Sequence, residues 1–424
     1  MKKIMVISYY WPPCGGVGVQ RWLKFVKYLS QKDWQITVLT TKNGDYPTLD
    51  ESLLKKIPDK VKVIRTKTPT FSGLYKKLVH SQDVHVPHGS LEISSDQSLI
   101  KKVFIWIRLN LIVPDARKIW NRHAYSRAKQ ELSTNDYDMM ITTGPPHSTH
   151  LIGLRMKKKI KLNWLADFRD PWTEMGYLKN VKRIKLTSIL DKRLENKVVN
   201  NCDLIVAASK KIITDLNCIP DKIKLITNGF DPDEYAGIIN KKLDDNFNLN
   251  YFGSLPEESN PISALQAVLK LYEQGIADIK INLWGNISQK VISILSNLDD
   301  KNIITFHDHI AHQKAVEYMV NSDLLLLMIN RVENNEGIIT AKLFEYLGSE
   351  VPILGIGPIS SEPAKILEET KMGKMFDYDN VTDISGYIEQ SYTSWKKGKL
   401  KKSGNIAKYN CVNQTEELIK FLKL

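Results

Sequence analysis

Short apolar runs that alternate with segments of helical period constrain this chain more than any other feature. Lys3–Ser8 carries Ile4, Met5, Val6 and Ile7 in succession. A Pro/Gly-rich turn follows, then Val19–Leu29 with Trp22, Leu23, Val26 and Leu29 at helical spacing. A continuous apolar run closed by a turn is the pattern of a strand buried on both faces; intervals of three and four mark a helix with one buried stripe. The alternation predicts further strands over 35–40, 61–65, 138–143, 162–168, 204–208 and 222–226, and helices over 101–132, 148–158 and 182–199. Residues 66–100, polar and broken by Pro69, Gly73, Pro87 and Gly89, read as a long loop or mobile insertion.

After the polar stretch Asp231–Asn246 the pattern restarts. Strands are expected over 248–252, 280–284, 302–306, 324–329 and 352–354, with helices over 261–273, 312–320, 340–347 and 412–423. Two trains of βαβ repetition predict an α/β protein of two Rossmann-like, doubly wound parallel-sheet domains, and 424 residues suit that number. The domains are drawn as 1–235 and 236–404, with 405–424 packing back on the first. Ligands of such sheets bind outside the carboxyl ends of the strands, so a central cleft between the domains is the expected site.

Charge divides the same way. Residues 1–240 sum to +17 and 241–424 to −4, within a total of +13. The stretch Lys101–Lys129 holds eight Lys/Arg against one acid, Asp115, interleaved with Phe104, Trp106, Leu109, Leu111 and Trp120. Basic residues beside large apolar ones suit an anionic membrane surface, with Lys101, Lys102, Trp106, Arg108, Arg117 and Lys118 as contacts. The alternative is a helix with a core stripe and a solvated basic face. No nucleic-acid-binding motif accompanies the charge, so nucleic acid is not an expected partner. Four scattered cysteines suggest a reducing compartment. The N-terminal apolar run reads as a strand rather than a secretory signal. The stretch 103–113 contains Arg108 and Asn110 and is too short to span a bilayer. A cytoplasmic, peripheral protein is expected.

Four segments carry possible chemistry. Pro12-Pro13-Cys14-Gly15-Gly16-Val17-Gly18 joins the first strand to the first helix, where glycine amides and a helix N-terminus can receive an anion. It lacks the G-x-G-x-x-G spacing, which disfavours a nicotinamide cofactor. His147 ends Thr143-Gly144-Pro145-Pro146-His147, at the carboxyl end of a strand; such a residue is either functional or a packed or capping histidine. Asp167-Phe168-Arg169-Asp170 ends another strand, either as a self-contained ion-pair turn or as a polar wall for a hydroxyl-rich substrate. Thr340 is a plausible helix N-cap. Lys342 then falls in the first helical turn, where a cation is unfavourable unless an anion is bound. Glu345, three residues on, can accept from ribose hydroxyls or pair with Lys342. No zinc signature is present. Asp136–Asp138, Asp231–Asp233 and Asp377–Asp379 sit in apparent turns, so no metal is expected.

Together, Tyr9-Tyr10-Trp11-Pro12-Pro13-Cys14-Gly15-Gly16-Val17-Gly18, Ala166-Asp167-Phe168-Arg169-Asp170-Pro171-Trp172, Thr227-Asn228-Gly229-Phe230-Asp231, Tyr251-Phe252-Gly253-Ser254-Leu255 and Thr340–Tyr346 resemble, in order and spacing, the family-4 glycosyltransferases of GT-B fold. The resemblance implies an acceptor-binding first domain and a nucleotide-sugar-binding second. It implies sugar transfer with retention, from a nucleoside-diphosphate sugar to a glycan or lipid-linked acceptor in bacterial surface-polysaccharide synthesis, without metal or other cofactor. By position, Gly15 and Gly16 would approach the donor diphosphate, His147 the transferred sugar, Thr340 and Lys342 the diphosphate, and Glu345 the ribose. Asp167, Arg169 and Asp170 would line the acceptor side.

The chain departs from the pattern twice. Ser254–Asn260 lacks the family's basic pair, which leaves Arg331 to compensate. Gly337 stands where the first Glu of the family's Glu pair belongs, with Glu336 one residue away. Two other functions remain compatible with this reading: a sugar-nucleotide epimerase on a similar fold, and a non-catalytic homologue that binds an anionic surface.

Overall fold

The computed structural model describes residues 1–69, 99–174, 183–239, 241, 244–399 and 404–423, and only the backbone of 99–104. Its contacts divide the chain into Met1–Thr227 with Thr415–Leu424, and Asn228–Gln414.

The first unit is built on β1 (Lys3–Ile7), β2 (Gln35–Thr41), β3 (Lys62–Thr66), β4 (Met139–Gly144), β5 (Asn163–Phe168), β6 (Leu204–Ala207) and β7 (Ile223–Leu225). They form one seven-stranded sheet in the order β3-β2-β1-β4-β5-β6-β7, every pair parallel. Its helices are α1 (Val17–Gln31), α2 (Leu99–Asn110), α3 (Asn121–Thr134), α4 (Ser148–Lys157), α5 (Lys185–Asn201) and α6 (Lys210–Leu216). The apolar run of β1 has the expected physical cause. Ile4 and Val6 enter the core on one face of the sheet, Met5 and Ile7 the core on the other. Each such buried side chain contributes roughly 1.5–3 kcal/mol relative to an exposed one. Leu418 and Leu422 enter the first of these cores from α13 (Cys411–Leu422).

The second unit holds β8 (Phe247–Phe252), β9 (Ile279–Trp284), β10 (Ile304–His307), β11 (Leu324–Met328), β12 (Ile353–Ile356) and β13 (Gly373–Phe376), a parallel sheet in the order β10-β9-β8-β11-β12-β13. Around it lie α7 (Ile262–Glu273), α8 (Gln289–Leu298), α9 (His312–Val320), α10 (Ala341–Ser349), α11 (Glu362–Thr370) and α12 (Val381–Lys396). In β11, Leu324, Leu326 and Met328 face one core while Leu325 and Leu327 face the other. That is the two-sided burial a parallel sheet demands. Phe230 and Tyr409 pack in this unit, and Phe230 donates its N–H to Tyr409 O at 3.0 Å, so the second unit begins before residue 236.

The single helix expected over 101–132 is two. α2 ends at Asn110, and α3 begins at Asn121 after a short turn at Ala116–Trp120. Pro114 lacks an N–H and disfavours helical backbone in the residue before it. Asp115 then caps the turn by accepting from Arg117 N at 3.0 Å, and its other oxygen takes the Ser148 N–H that opens α4, at 2.8 Å. The elements α6, α11, β13 and α12 had no counterpart in the sequence reading. Residues 70–98 of the expected long loop lie outside the described residues. Among the described residues no helix is long and apolar enough to cross a membrane.

Candidate functional site

Each sheet reverses its strand order once. In the first unit the reversal lies between β1 and β4, in the second between β8 and β11. Loops leaving the carboxyl ends of such a pair diverge and open a crevice for ligands. Gly15, Gly16 and His147 follow β1 and β4, Thr340, Lys342 and Glu345 follow β11, and the other sequence-chosen residues lie elsewhere.

In the first unit, the loop after β1 is pinned to residues 48–50. Gly15 N donates to Thr48 O at 3.0 Å, and Asp50 N to Pro13 O at 2.8 Å. A β-carbon on Gly15 would lie 2.9 Å from Thr48 Oγ1. The Gly15 amide is therefore committed within the protein and is not offered to a phosphate. Gly16 is exposed, has φ +83° and sits at the N-cap of α1, where its amide and helix dipole face outward.

The Asp167–Asp170 turn is neither a self-contained ion pair nor a wall of three polar side chains. Asp167 is fully buried and accepts from Arg21 Nε and Nη2 at 3.1 Å, Trp22 Nε1 at 2.7 Å and Thr143 Oγ1 at 2.8 Å. Arg21 in turn donates to Ile226 O and Thr227 O, both at 2.7 Å. Asp167 thus ties α1 to the sheet and does not line an opening. Arg169 donates to Gly144 O at 3.1 Å, to Pro145 O and to Gly18 O. It staples the start of α1 to the turn after β4, which makes it a positioning residue. Asp170 is exposed at the end of the same turn.

His147 is 6% exposed. Its ring stacks on Trp172 at 5.1 Å and 9°, and Nε2 lies 3.2 Å from Pro171 O. With Nε2 donating there, Nδ1 is left as an enclosed lone pair with no partner among the described residues. Burial first, and then neighbouring His150, hold His147 well below the usual imidazole pKa, so the ring is neutral. Trp172 is fixed by donating Nε1 to Asp191 Oδ1 at 2.7 Å.

The second unit supplies an anion cradle. β8 ends in Gly253 with φ +119°, and β9 ends next to Gly285 with φ +123°. A β-carbon on Gly285 would lie 2.5 Å from Gly253 O, so the two loops meet backbone to backbone. Over Gly253 folds Lys342 from the first turn of α10. A β-carbon on Gly253 would collide with Lys342 Cε. The ammonium lies 5.2 Å from the Tyr251 ring centroid and makes no hydrogen bond or ion pair among the described residues. Burial pushes its pKa down, and Glu345 opposes this. Thr340 Oγ1, at the N-cap of the same helix, is buried without a partner among the described residues and makes no capping bond. A desolvated cation, an orphaned hydroxyl and a helix N-terminus at one strand end are complementary to a phosphate. Glu345 is half-buried on the Lys342 side of α10, which Tyr346 anchors by accepting the Phe252 N–H at 3.0 Å.

Arg331 does not take the place of the missing basic pair. Its guanidinium is bidentate on Asp379 at 3.0 and 2.7 Å, beside Glu258 and Glu257 in a depression of about 480 Å³. Three carboxylates and one paired guanidinium do not suit a diphosphate. Glu336 accepts from Ser360 Oγ at 3.0 Å on the surface.

Sequence reasoning did not single out Trp284. Register pairs it with His307, the two rings stack at 3.7 Å and 6°, and Tyr318 stacks on the indole at 4.7 Å. Trp284 Nε1 is buried without a partner among the described residues. The β9–β10 pairing brings Trp284 to His307 and the packing of α9 adds Tyr318, and no local pattern signals either.

Among the described residues no cluster of metal-ligating side chains occurs. Arg117, expected at a membrane, has a side chain only 10% exposed and lies 3.7 Å from Asp45. Lys118 and Trp106 are exposed and Arg108 is half-buried; the side chains of Lys101 and Lys102 lie outside the described residues.

Neither a protein-family model nor a curated protein matches the sequence. Solved structures do match along the whole chain. A glycosyltransferase from Rickettsia africae superposes with TM-score 0.64 at 12% identity, covering 100% of this chain and 98% of its own. A sucrose-phosphate synthase from Thermosynechococcus elongatus gives 0.63 at 12%, covering 100% and 98%. The Anabaena protein HepE, solved in complex with UDP, gives 0.60 at 13%, covering 100% of both chains. The chain has the GT-B fold of these enzymes: two Rossmann-like α/β units, each on a parallel sheet.

Proposed function

We propose that the protein is a retaining, family-4-type glycosyltransferase. It moves a hexosyl or N-acetylhexosaminyl group from a nucleoside-diphosphate sugar to a lipid-linked or polysaccharide acceptor in bacterial surface-glycan synthesis, as a peripheral protein on the inner face of the cytoplasmic membrane. The observation that carries the reading is Lys342: a half-buried ammonium with no ion pair among the described residues, at a helix N-terminus beside the switch point of the second sheet. Leaving a cation so placed is costly without an anionic ligand. A neighbour titled a glycosyltransferase and another solved with UDP support the same assignment.

In this reading the second unit binds the donor. The Lys342 ammonium, Thr340 hydroxyl and first-turn amides of α10 hold the diphosphate, and Glu345 accepts from the ribose. As the sugar–oxygen bond breaks, charge builds on the diphosphate, and these fixed groups stabilise it without reorganising. The fixed cation supplies what a divalent metal provides elsewhere, so no metal is assigned. The first unit receives the acceptor beside Asp170 and neutral His147. A leaving phosphate oxygen takes the acceptor proton, and no carboxylate nucleophile is assigned.

Calorimetric titration with UDP, GDP, ADP and CMP, first without metal and then with Mg²⁺, tests this. Metal-free binding of one nucleoside diphosphate, abolished in Lys342→Met, is the expected result. Binding that requires metal, or that survives the substitution, would overturn the diphosphate assignment.

A further inference from the structure

The helix α5 packs Leu194, Val198 and Val199 on the core toward its end, but its first turns are turned inside out. The residues buried there are Thr187, Asp191 and, one turn on, Glu195. Its exposed residues include Leu186, Ile189 and Leu190, at 72%, 49% and 45%. The inward polar face is satisfied in full. Asp191 accepts from Trp172 Nε1 at 2.7 Å and Arg183 Nη1 at 2.9 Å; Glu195 accepts from Thr173 N at 3.2 Å and Thr173 Oγ1 at 3.0 Å; Thr187 Oγ1 donates to Asn110 O at 2.8 Å. A soluble helix ordinarily places its apolar stripe on the core. Here hydrogen bonding fixes the opposite rotation.

The apolar face extends beyond α5. Asn110, at the end of α2, takes the Ile184 N–H on its side-chain oxygen at 2.8 Å, which brings the end of α2 to the start of α5. Trp106 and Leu111 at the first, and Ile184 at the second, are exposed at 45%, 63% and 45%. Six large apolar side chains at one helix junction form a patch of the kind that a partner covers.

Charge identifies the partner. Both carboxylates of α5, Asp191 and Glu195, face inward, whereas Lys185, Arg193 and Lys197 are exposed. Along the outward stripe, Leu186, Ile189 and Leu190 give way to Arg193 and Lys197 at intervals of three and four. Aliphatic residues whose exposed charged neighbours on the helix are all cations, with an indole at the edge, match an interfacial helix on anionic lipid. A protein interface of this kind would carry a mixed polar rim instead.

We propose that the outward face of α5, with Trp106, Leu111 and Ile184, docks the first unit on an anionic lipid surface. The proposal deepens the glycosyltransferase reading by naming the face that meets a lipid-borne acceptor, and it rests on that reading only for its biological purpose. The face is coupled to the candidate site, because Asp191 of this helix holds the indole on which His147 stacks.

The test is co-sedimentation of the full chain with phosphatidylglycerol/phosphatidylcholine vesicles and with phosphatidylcholine vesicles, at low and high salt. Wild type should partition to the anionic vesicles and be released by salt. The Leu186→Ser/Ile189→Ser/Leu190→Ser variant should partition at least about tenfold more weakly, with an unchanged circular-dichroism spectrum. Arg193→Glu should weaken anionic binding while keeping the apolar face. Equal partitioning of wild type and the triple variant overturns the proposal. So does self-association in sedimentation that the triple variant abolishes while vesicles bind neither. Nucleotide calorimetry on the same samples reads the donor site separately, so failure there with vesicle binding intact would strike the enzyme reading and leave this surface standing.

Discussion

Lys342 of α10 occupies the space that a β-carbon on Gly253 would need, so the end of β8 must be glycine for the ammonium to lie where it does. The residue's φ of +119° demands glycine independently. Gly253→Ala should therefore displace Lys342 and strain the loop by about 1–3 kcal/mol. Nucleoside-diphosphate affinity should fall by at least about tenfold in calorimetry, and the urea midpoint should drop. A variant that binds like wild type would show that Lys342 does not need this position.

Lys342→Met separates binding from stability. The folded-state pKa of Lys342 is depressed by burial. Between that pKa and the unfolded value near 10.5 the unfolded chain holds more protons, so stability rises with pH through this window. Removing the ammonium should raise stability at neutral pH and flatten that alkaline rise, while nucleotide binding is lost. In wild type, affinity should decline as pH climbs through the depressed pKa, because only the charged form attracts phosphate. Urea midpoints and calorimetry across alkaline pH check both limbs.

Asp167→Ala should cost about 3–5 kcal/mol, the range for leaving one member of a buried ion pair unpartnered. Both side chains are almost fully buried, at 3% for Arg21 and 0% for Asp167. Chemical denaturation measures the loss. A change below about 1 kcal/mol would reassign Asp167 from scaffold to surface.

Two buried histidines should make the protein acid-sensitive. Burial, and then Arg169, pushes His150 down to about 3, and His147 is also held well below its usual value. Both folded pKa values lie below the unfolded one of about 6.5, so the unfolded chain takes up protons first as pH falls. Stability should decline below about pH 6.5, by up to about 1.4 kcal/mol per pH unit for each histidine. His150→Gln should flatten the decline in urea midpoints between about pH 7 and 5; an unchanged slope would assign it elsewhere.

His147→Ala should abolish sugar transfer while nucleotide affinity stays nearly unchanged, since the imidazole belongs to the first unit and the diphosphate cradle to the second. Because His147 is neutral, wild-type transfer should show no acid limb near about pH 6.5 from this residue. Parallel loss of transfer and affinity would remove the role assigned to it.

The sheets were legible because both-face burial leaves continuous apolar runs, as in Ile4–Ile7 and Leu324–Met328. β13 was missed because four residues, two of them Gly373 and Lys374, leave too short a run to read. Lys342 was legible from a local conflict, a cation in the first turn of a helix, and the structure sharpens it by half-burying the side chain against Gly253. Asp167 was misread because its partner Arg21 is distant in sequence, and only the packing of α1 on the sheet joins them. Arg331 looked available for the same reason, since Asp379 reaches it from another loop. The rotation of α5 was illegible because its polar residues find partners in Trp172, Arg183 and Thr173, which a helical period cannot reveal.

The closing helix has a consequence for biosynthesis. Leu418 and Leu422 complete a core begun by Ile4 and Val6, and the entire second unit lies between them in the chain. Synthesis is vectorial and slow relative to local folding. The first unit therefore keeps an open seam on that core during synthesis until the last turns of α13 emerge. The second unit carries no such debt to later sequence, so it is the part of the nascent protein that can mature first although it is made second.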